Sequence, residues 1–166
     1  MQKFYAVIDT NVVISRLIKS ANQDDTIIKL INKFIFDDEI LIPVVNDDII
    51  REYKEVTASN KFRKYFDIEV ANEFINDIIE KAIVIDTPRD YKETLKENEN
   101  VKHKDDLVFY YITLEAKDSI DKDTYLVTGN EKHFNFNLDF IVRPKEMINI
   151  IEDSLKKERI ENEEEG

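Results

Sequence analysis

The sequence lacks several residues on which common enzyme sites depend. It contains no cysteine, no tryptophan, three prolines and two glycines, one of which is the last residue. Without cysteine the chain forms neither a disulfide nor a thiolate metal site. With Gly129 as the one internal glycine, there is neither a glycine-rich phosphate loop nor the G-x-G-x-x-G fingerprint of dinucleotide binding. No serine stands in a G-x-S-x-G nucleophile elbow.

Histidine is scarce too, with only His103 and His133 in the chain. They are far apart in the sequence, and without cysteines they do not form a zinc-binding pattern. His103 falls in a polar stretch. His133 contacts a phosphate or packs beside Phe134, and we expect the second.

Long apolar runs are absent as well. Hydrophobic residues make up 42% of the chain and charged residues 36%, a balance typical of a soluble globular protein. No run has the length of a membrane-spanning helix, and the start, MQKFYAVIDTN, contains an aspartate where the apolar part of a signal peptide would continue. We therefore predict a cytoplasmic protein without a membrane partner.

Basic residues are outnumbered: 24 Lys and Arg stand against 36 Asp and Glu, which gives a net charge of −12. Residues 152–166 hold seven acids and three bases, and so carry −4 of that total. A protein that coats a nucleic-acid duplex is usually basic. Most of this charge is explained as a solvated surface, and any contact with nucleic acid must be local or supported by a metal ion or a partner.

The chain alternates between strand-like and helix-like segments. Short apolar runs predict strands at residues 3–9, 39–45, 83–88, 124–129 and 140–144. Strands separated by helices indicate an α/β fold, with a parallel sheet covered by helices on both faces. The length suits one domain, which we place at residues 1–151, followed by an acidic helix end and frayed tail at 152–166.

Apolar spacing of 3.6 residues predicts the helices between these strands. They cover residues 10–21, 24–36, 46–58, 59–66, 67–82, 105–117 and 144–160, with a polar loop at 89–104. Asp24 or Asp25 is predicted to cap the second helix, and Asn46 or Asp47 the third.

In a parallel α/β sheet, ligands bind outside the carboxyl ends of the strands, so the residues that follow each strand are the functional candidates. Asp9 comes directly after the first strand, in VIDTN. An aspartate here is also a good N-cap for the next helix, which is the structural alternative. However, Asp9, Thr10 and Asn11 are more capping residues than one helix end requires.

Further acids follow later strands. Glu52 lies on the helix after the second strand, beside its apolar stripe and not opposite it, which is unusual for an acid. The structural alternative is an exposed glutamate that pairs with Arg51 or Lys54. Asp105 and Asp106 open a later helix, where capping alone would require only one acid.

The fourth strand ends in YLVTGNE, where Thr128, Asn130 and Glu131 can face the same crevice. We expect that Gly129 is needed because the backbone passes close to the crevice there.

Acids brought together from separate strand ends repel one another. Two charges about 4 Å apart cost roughly 4 kcal/mol at an effective dielectric near 20. A divalent cation offsets this repulsion, and carboxylate and water ligands favour Mg²⁺ or Mn²⁺. Such an ion lowers the pKa of a bound water and holds a phosphodiester for in-line attack. Asp9, Glu52 and the pair Asp105 and Asp106 therefore indicate metal-dependent phosphodiester cleavage.

Four segments occur in a characteristic order: VIDTNVVIS, IIREYKEV, KDDLVFYYITLEA and YLVTGNEKHF. Together they resemble the PIN-domain family, and more narrowly the toxin components of toxin–antitoxin pairs, over residues 4–150. The resemblance implies a Rossmann-like three-layer α/β/α fold with a central parallel sheet. It also implies a Mg²⁺- or Mn²⁺-dependent ribonuclease, a hydrolase of RNA restrained by an antitoxin protein. Family members often form homodimers, to which Tyr110, Tyr111 or residues 59–66 would contribute, unless these side chains belong to the core.

The resemblance also assigns roles by position. Asp9, Glu52 and Asp106 match the metal-binding and catalytic acids, and Asp105 replaces Asp106 if the register is shifted by one. Asn11 matches the asparagine that orders the site.

The last strand contains both a match and a departure. Thr128 matches the family's threonine or serine, but Asn130 stands where the family often has an aspartate. An amide binds a cation or orients water without adding charge, so a second metal ion would be held less firmly. Glu131 replaces that acid only if the turn directs it inward.

Two other functions fit parts of the sequence. A PIN-like fold that has lost its chemistry, and binds RNA or a protein partner, is consistent with Asn130 and the net negative charge. A receiver domain phosphorylated on aspartate would need paired acids after its first strand and a lysine after its last. Here one acid follows the first strand, and no lysine follows YLVTG before Lys132.

Overall fold

A computed structural model describes residues 2–22 and 24–166 of the chain. Within them, five parallel strands form the central sheet of a Rossmann-like, three-layer α/β/α fold. The strands are β1 (Phe4–Ile8), β2 (Leu41–Val45), β3 (Ile83–Val84), β4 (Tyr125–Val127) and β5 (Ile141–Val142). The predicted fold class is therefore confirmed.

The strand order is β3-β2-β1-β4-β5. From β1 the chain adds β2 and β3 on one side of the sheet, then returns to add β4 and β5 on the other. Tyr5 aligns with Ile42 of β2, and Val7 aligns with Leu126 of β4. The crevice between the carboxyl ends of β1 and β4 is thus a topological switch point, where α/β sheets bind ligands. Receiver domains have a flavodoxin-like order, 2-1-3-4-5, so this order argues against that alternative.

Helices connect and cover these strands. They are α1 (Thr10–Ile18), α2 (Thr26–Ile28), α3 (Asp47–Thr57), α4 (Ile68–Lys81), α5 (Tyr91–Thr94), α6 (Leu107–Ser119) and α7 (Pro144–Glu165). The apolar face of α6 packs on β1, β2 and β4, while α4 packs on β2. Tyr53, Phe34 and Phe109 are among the largest fully buried side chains of this core. In the described residues, no helix is both long and apolar enough to cross a membrane.

Two of the predicted helix caps are present. Asp25 accepts a hydrogen bond from the Ile27 backbone N–H at 2.9 Å and caps α2. Asn46 accepts one from the Ile49 backbone N–H at 2.9 Å and caps α3. Both satisfy amide groups that have no partner within the helix.

Three predicted elements differ from the structure. The second helix changes after Ile28 into a π-helical segment at Lys29–Asp37, although its apolar side chains are buried as expected. Residues 59–66 form only a 3₁₀ turn at Asn60–Phe62, and the Arg63 side chain donates a hydrogen bond back to the Thr57 carbonyl. The polar loop contains the short helix α5, since its Tyr91 is buried and hydrogen-bonded to Asn46.

The acidic end of the chain also differs from expectation. We predicted a frayed tail, whereas α7 continues to Glu165. Its last residues are exposed. The helix there is supported by backbone hydrogen bonding, and not by burial of an apolar face.

Candidate functional site

Two side chains meet at the switch point of the sheet. Asp9 follows β1, and its backbone N–H donates to the Val127 carbonyl at 2.9 Å. Thr128 follows β4, and its Oγ1 donates to Asp9 Oδ2 at 2.7 Å. Both residues are buried. The parallel pairing of β1 with β4 therefore places this carboxylate where the sequence predicted a functional group.

The Asp9 side chain makes no capping hydrogen bond to α1, although it occupies the N-cap position. It is only 4% exposed. Burial raises the pKa of Asp9 to about 6; the Thr128 hydrogen bond opposes this rise, and the charge of Asp106 adds to it. A buried acid that holds its proton more tightly than usual is characteristic of a functional site.

Glu52 faces the same region from α3. Its carboxylate accepts a hydrogen bond from the hydroxyl of Thr10, the first residue of α1. The pKa of Glu52 is raised to about 7, chiefly by burial and also by the charges of Asp9 and Asp106, against the effect of the Thr10 bond. Arg51, a partner in the structural alternative, pairs with Asp48 instead.

Asp106 and Asp105 differ clearly in their surroundings. The Asp106 side chain is 14% exposed and lies 2.7 Å from Nδ1 of His133, whereas Asp105 is exposed. Burial raises the pKa of Asp106, although the charge and hydrogen bond of His133 act in the opposite direction. Asp106 also makes no capping bond to α6. These contacts favour Asp106 over Asp105 as the third acid of the site.

The three acids come from three separate parts of the chain and influence one another. The charge of Asp106 raises the pKa of Asp9, and the charges of Asp9 and Asp106 raise that of Glu52. Like charges held near one another produce such shifts. However, within residues 2–22 and 24–166 no three Asp, Glu or His side chains already converge on a common point as a metal site would require.

The remaining predicted site residues line the edge of the crevice. The Thr128 hydroxyl accepts a hydrogen bond from the Asn130 backbone N–H at 3.1 Å. Asn130 is half-buried, and Asn11 is exposed across a shared groove. Glu131 pairs with Arg143 at the surface. It is therefore directed away from the acids and does not replace the missing aspartate.

Two residues that contact the acids were missed from the sequence. Thr10 donates a hydrogen bond to Glu52. The sequence prediction gave the role of ordering the site to Asn11 instead. His133 binds Asp106, and its ring lies on that of His103, with centroids 3.8 Å apart. The available signal was their position, since each lies within a few residues of a strand's carboxyl end.

The explanation offered for Gly129 is wrong. Its backbone does not have a positive φ, and a Cβ atom placed there would meet nothing within 4 Å. Neither backbone strain nor close packing requires glycine at this position. Instead, Gly129 leaves open a groove of about 290 Å³ that it shares with Asn11, Asn130 and Pro144.

Because neither backbone conformation nor packing requires glycine at position 129, an alanine there should be harmless to folding. We expect Gly129→Ala to leave the free energy of unfolding within about 0.5 kcal/mol of wild type, or to raise it slightly. Urea denaturation followed by circular dichroism measures the difference. A loss of more than about 1 kcal/mol would show that the groove is tighter than described.

The donors gathered at the switch point are hard oxygen atoms. Carboxylates of this kind bind protons or hard divalent cations, and their raised pKa values place that exchange near neutral pH. Neither protein-family models nor curated proteins match this chain.

Proposed function

We propose that the chain is a cytoplasmic, Mg²⁺- or Mn²⁺-dependent endoribonuclease of the PIN-domain kind, and the toxin of a toxin–antitoxin pair. Asp9, Glu52 and Asp106 are its metal-binding and catalytic acids. One observation carries the proposal: these acids come from separate elements and lie near the switch point, where the charge of Asp106 raises the pKa of Asp9 and the charges of both raise the pKa of Glu52. Such an arrangement lowers the stability of the metal-free protein. Proteins retain arrangements of this kind where they serve a function.

The donor set suits a hard divalent ion. When bound, the ion would lower the pKa of a water molecule and withdraw charge from the phosphate. The chain's own residues keep the acids in place: Thr128 holds Asp9, Thr10 holds Glu52, and His133 holds Asp106. In the described residues the acids do not already converge, so we propose that ion binding draws them together.

Asn130 limits the site. Three carboxylates suffice for one ion, and the amide at position 130 adds no fourth charge. Glu131, the acid that follows Asn130, is held by Arg143. We therefore propose a site for one ion, in which Asn130 orients water or substrate.

The direct test is cleavage of RNA in the presence of Mg²⁺ or Mn²⁺. The wild-type protein should cut a mixed-sequence RNA, and Asp9→Asn should not. Equal cleavage by the two proteins would contradict the assignment, because a contaminating nuclease explains that result better.

A second function is favoured by the same contacts. Glu52 and Asp106 already have hydrogen-bond partners, and Asn130 stands in place of an acid. A PIN-like module without catalysis, which binds RNA or a protein partner such as an antitoxin, would have this appearance. Clear Mn²⁺ binding that Asp106→Asn removes would argue against it.

Homodimer formation is also part of the proposal, but its expected contributors change. Tyr110 is buried and packs beside Phe140, with ring centroids 6.1 Å apart. Tyr111 packs against Tyr91 at 5.6 Å. Both rings are used within the chain, so an interface would need other side chains.

A further inference from the structure

Residues 61–66, KFRKYF, form a segment that contrasts with the rest of the molecule. Three of its six residues are basic and three are aromatic, in a chain whose net charge is −12. We call it the basic–aromatic segment. It follows α3 and leads into α4.

The aromatic rings of the segment lie under its cations. The Lys61 ammonium lies 5.0 Å from the centre of the Phe62 ring, and the Lys64 ammonium lies 5.0 Å from the centre of the Tyr65 ring. Phe62 itself stacks on Phe66, with centroids 5.7 Å apart and an interplanar angle of 14°. The buried ring of Phe66 thus anchors a platform whose outer surface is cationic.

The outermost side chains of the segment are open to solvent. Tyr65 is 52% exposed, and Lys61 and Lys64 are exposed as well. An exposed tyrosine ring offers a face on which a nucleobase stacks, and neighbouring lysines offer charge to phosphates. Protein folding alone does not require this combination.

The segment is fixed to a helix that carries the candidate site. Arg63 donates to the carbonyl of Thr57, the last residue of α3, and Glu52 lies five residues earlier on the same helix. At a rise of 1.5 Å per residue, that separation is about 8 Å along the helix axis. The segment and Glu52 are therefore attached to the same helix, α3.

We propose that the basic–aromatic segment binds single-stranded RNA, with a base stacked on Tyr65 and phosphates contacting Lys61 and Lys64. The proposed function supplies only the identity of the ligand as RNA; the binding itself needs no catalysis. Neighbouring acids restrict the path. Asp67, Glu73 and Asp77 line the groove of about 380 Å³ next to Tyr65 and repel phosphates, so the strand follows the lysines and stays out of that groove.

Binding is measured with a fluorescently labelled 12-nucleotide single-stranded RNA by anisotropy, in EDTA so that no cleavage occurs. The double variant Lys61→Gln/Lys64→Gln should bind more weakly and with less dependence on salt. Each lost phosphate contact on a single strand removes about 0.7 from the slope of log affinity against log salt, so the two substitutions should remove about 1.4. Lys156→Gln/Lys157→Gln on α7 makes the same charge change elsewhere and should bind as wild type does.

Stacking is tested separately at Tyr65. Tyr65→Leu keeps apolar area but removes the ring, and should weaken binding about 5-fold or more, whereas Tyr65→Phe should bind like wild type. The inference is overturned if wild type does not bind the RNA, or if the two lysine pairs behave alike. It is also overturned if the Lys61/Lys64 substitutions change only the oligomeric state in gel filtration, which would make the segment an interface between protein chains.

The outcome is separable from that of the proposed function. Binding lost in the Lys61/Lys64 variant, in a protein that never cleaves RNA, upholds the segment and contradicts the nuclease. If cleavage depends on Asp9 but RNA binding is unchanged in the Lys61/Lys64 variant, the nuclease is upheld and the RNA-binding role of the segment is contradicted.

Discussion

Asp9→Asn is expected to lower the rate of RNA cleavage by about 100-fold or more while the protein stays folded. The expectation follows from the position of Asp9, which contributes a buried carboxylate at the switch point. Changes to residues that merely support a metal ligand typically cost 10- to 100-fold in activity or metal affinity, and loss of a ligand should cost at least as much. Asn has nearly the same shape and can still accept the hydrogen bond from Thr128, so the change removes mainly the charge.

The matched control is Asp47→Asn. Asp47 is an exposed acid at the start of α3 and is not one of the three candidate site acids. Its replacement should leave cleavage within about 2-fold of wild type, since surface substitutions are usually small in effect. Asp106→Asn should resemble Asp9→Asn, and Asp105→Asn should not. If Asp105→Asn abolishes cleavage and Asp106→Asn does not, the register of the third acid is wrong by one residue.

The second large effect is on stability. Without divalent cations, the protein should become less stable as pH rises from 5 to 8. The pKa of Asp9 is about 6 in the folded protein, above its ordinary value of 3.8, and that of Glu52 is about 7 against 4.5. The folded state therefore holds protons that the unfolded state has already lost, and stability declines until both folded groups have ionised.

The size of the decline follows from the same shifts. The shift at Asp9 corresponds to about 3 kcal/mol over its full range, of which the part above pH 5 is about half. Glu52 is only half-buried, so solvent screening reduces its share. A total of about 2 kcal/mol would lower Tm by roughly 4 to 8 °C in a domain of this size.

Thermal unfolding in EDTA, at pH 5 and pH 8 and in 0.3 M NaCl to screen surface charge, measures this decline. Asp9→Asn should reduce it by about three quarters and should raise Tm at pH 8, since the buried carboxylate of Asp9 then no longer has to ionise. Addition of 10 mM Mg²⁺ should raise the Tm of wild type at pH 8 but not at pH 5, where protons occupy the acids. A Tm that is independent of pH, or equally raised by Mg²⁺ in Asp9→Asn, would contradict the coupled-acid account.

Much of this arrangement is predictable from the sequence because it depends on local signals. The strand in FYAVI ends in an acid, and parallel strands bring their carboxyl ends to one edge, so the placement of Asp9 follows from the element order alone. Thr128 was found the same way, as the last polar residue of the YLVT run. Helix caps such as Asn46 also follow from residue type and position.

Features that depend on packing between distant segments were not predictable. The resemblance preferred Asp106 to Asp105, but the contact that favours Asp106 in the structure comes from His133, which lies 27 residues away from it. The bond from Thr10 to Glu52 spans 42 residues. Likewise, apolar spacing predicts which side chains of residues 29–37 are buried. It does not distinguish an α-helix from a π-helix, because both can bury these side chains.

The most direct measurement is a calorimetric titration of the protein with Mn²⁺ at pH 8. We expect saturable binding of one ion by wild type, retained in Asp47→Asn and Asp105→Asn, and lost in Asp9→Asn and Asp106→Asn. Absence of binding by wild type, or binding that Asp9→Asn leaves unchanged, would contradict the claim that these acids form a metal-dependent nuclease site.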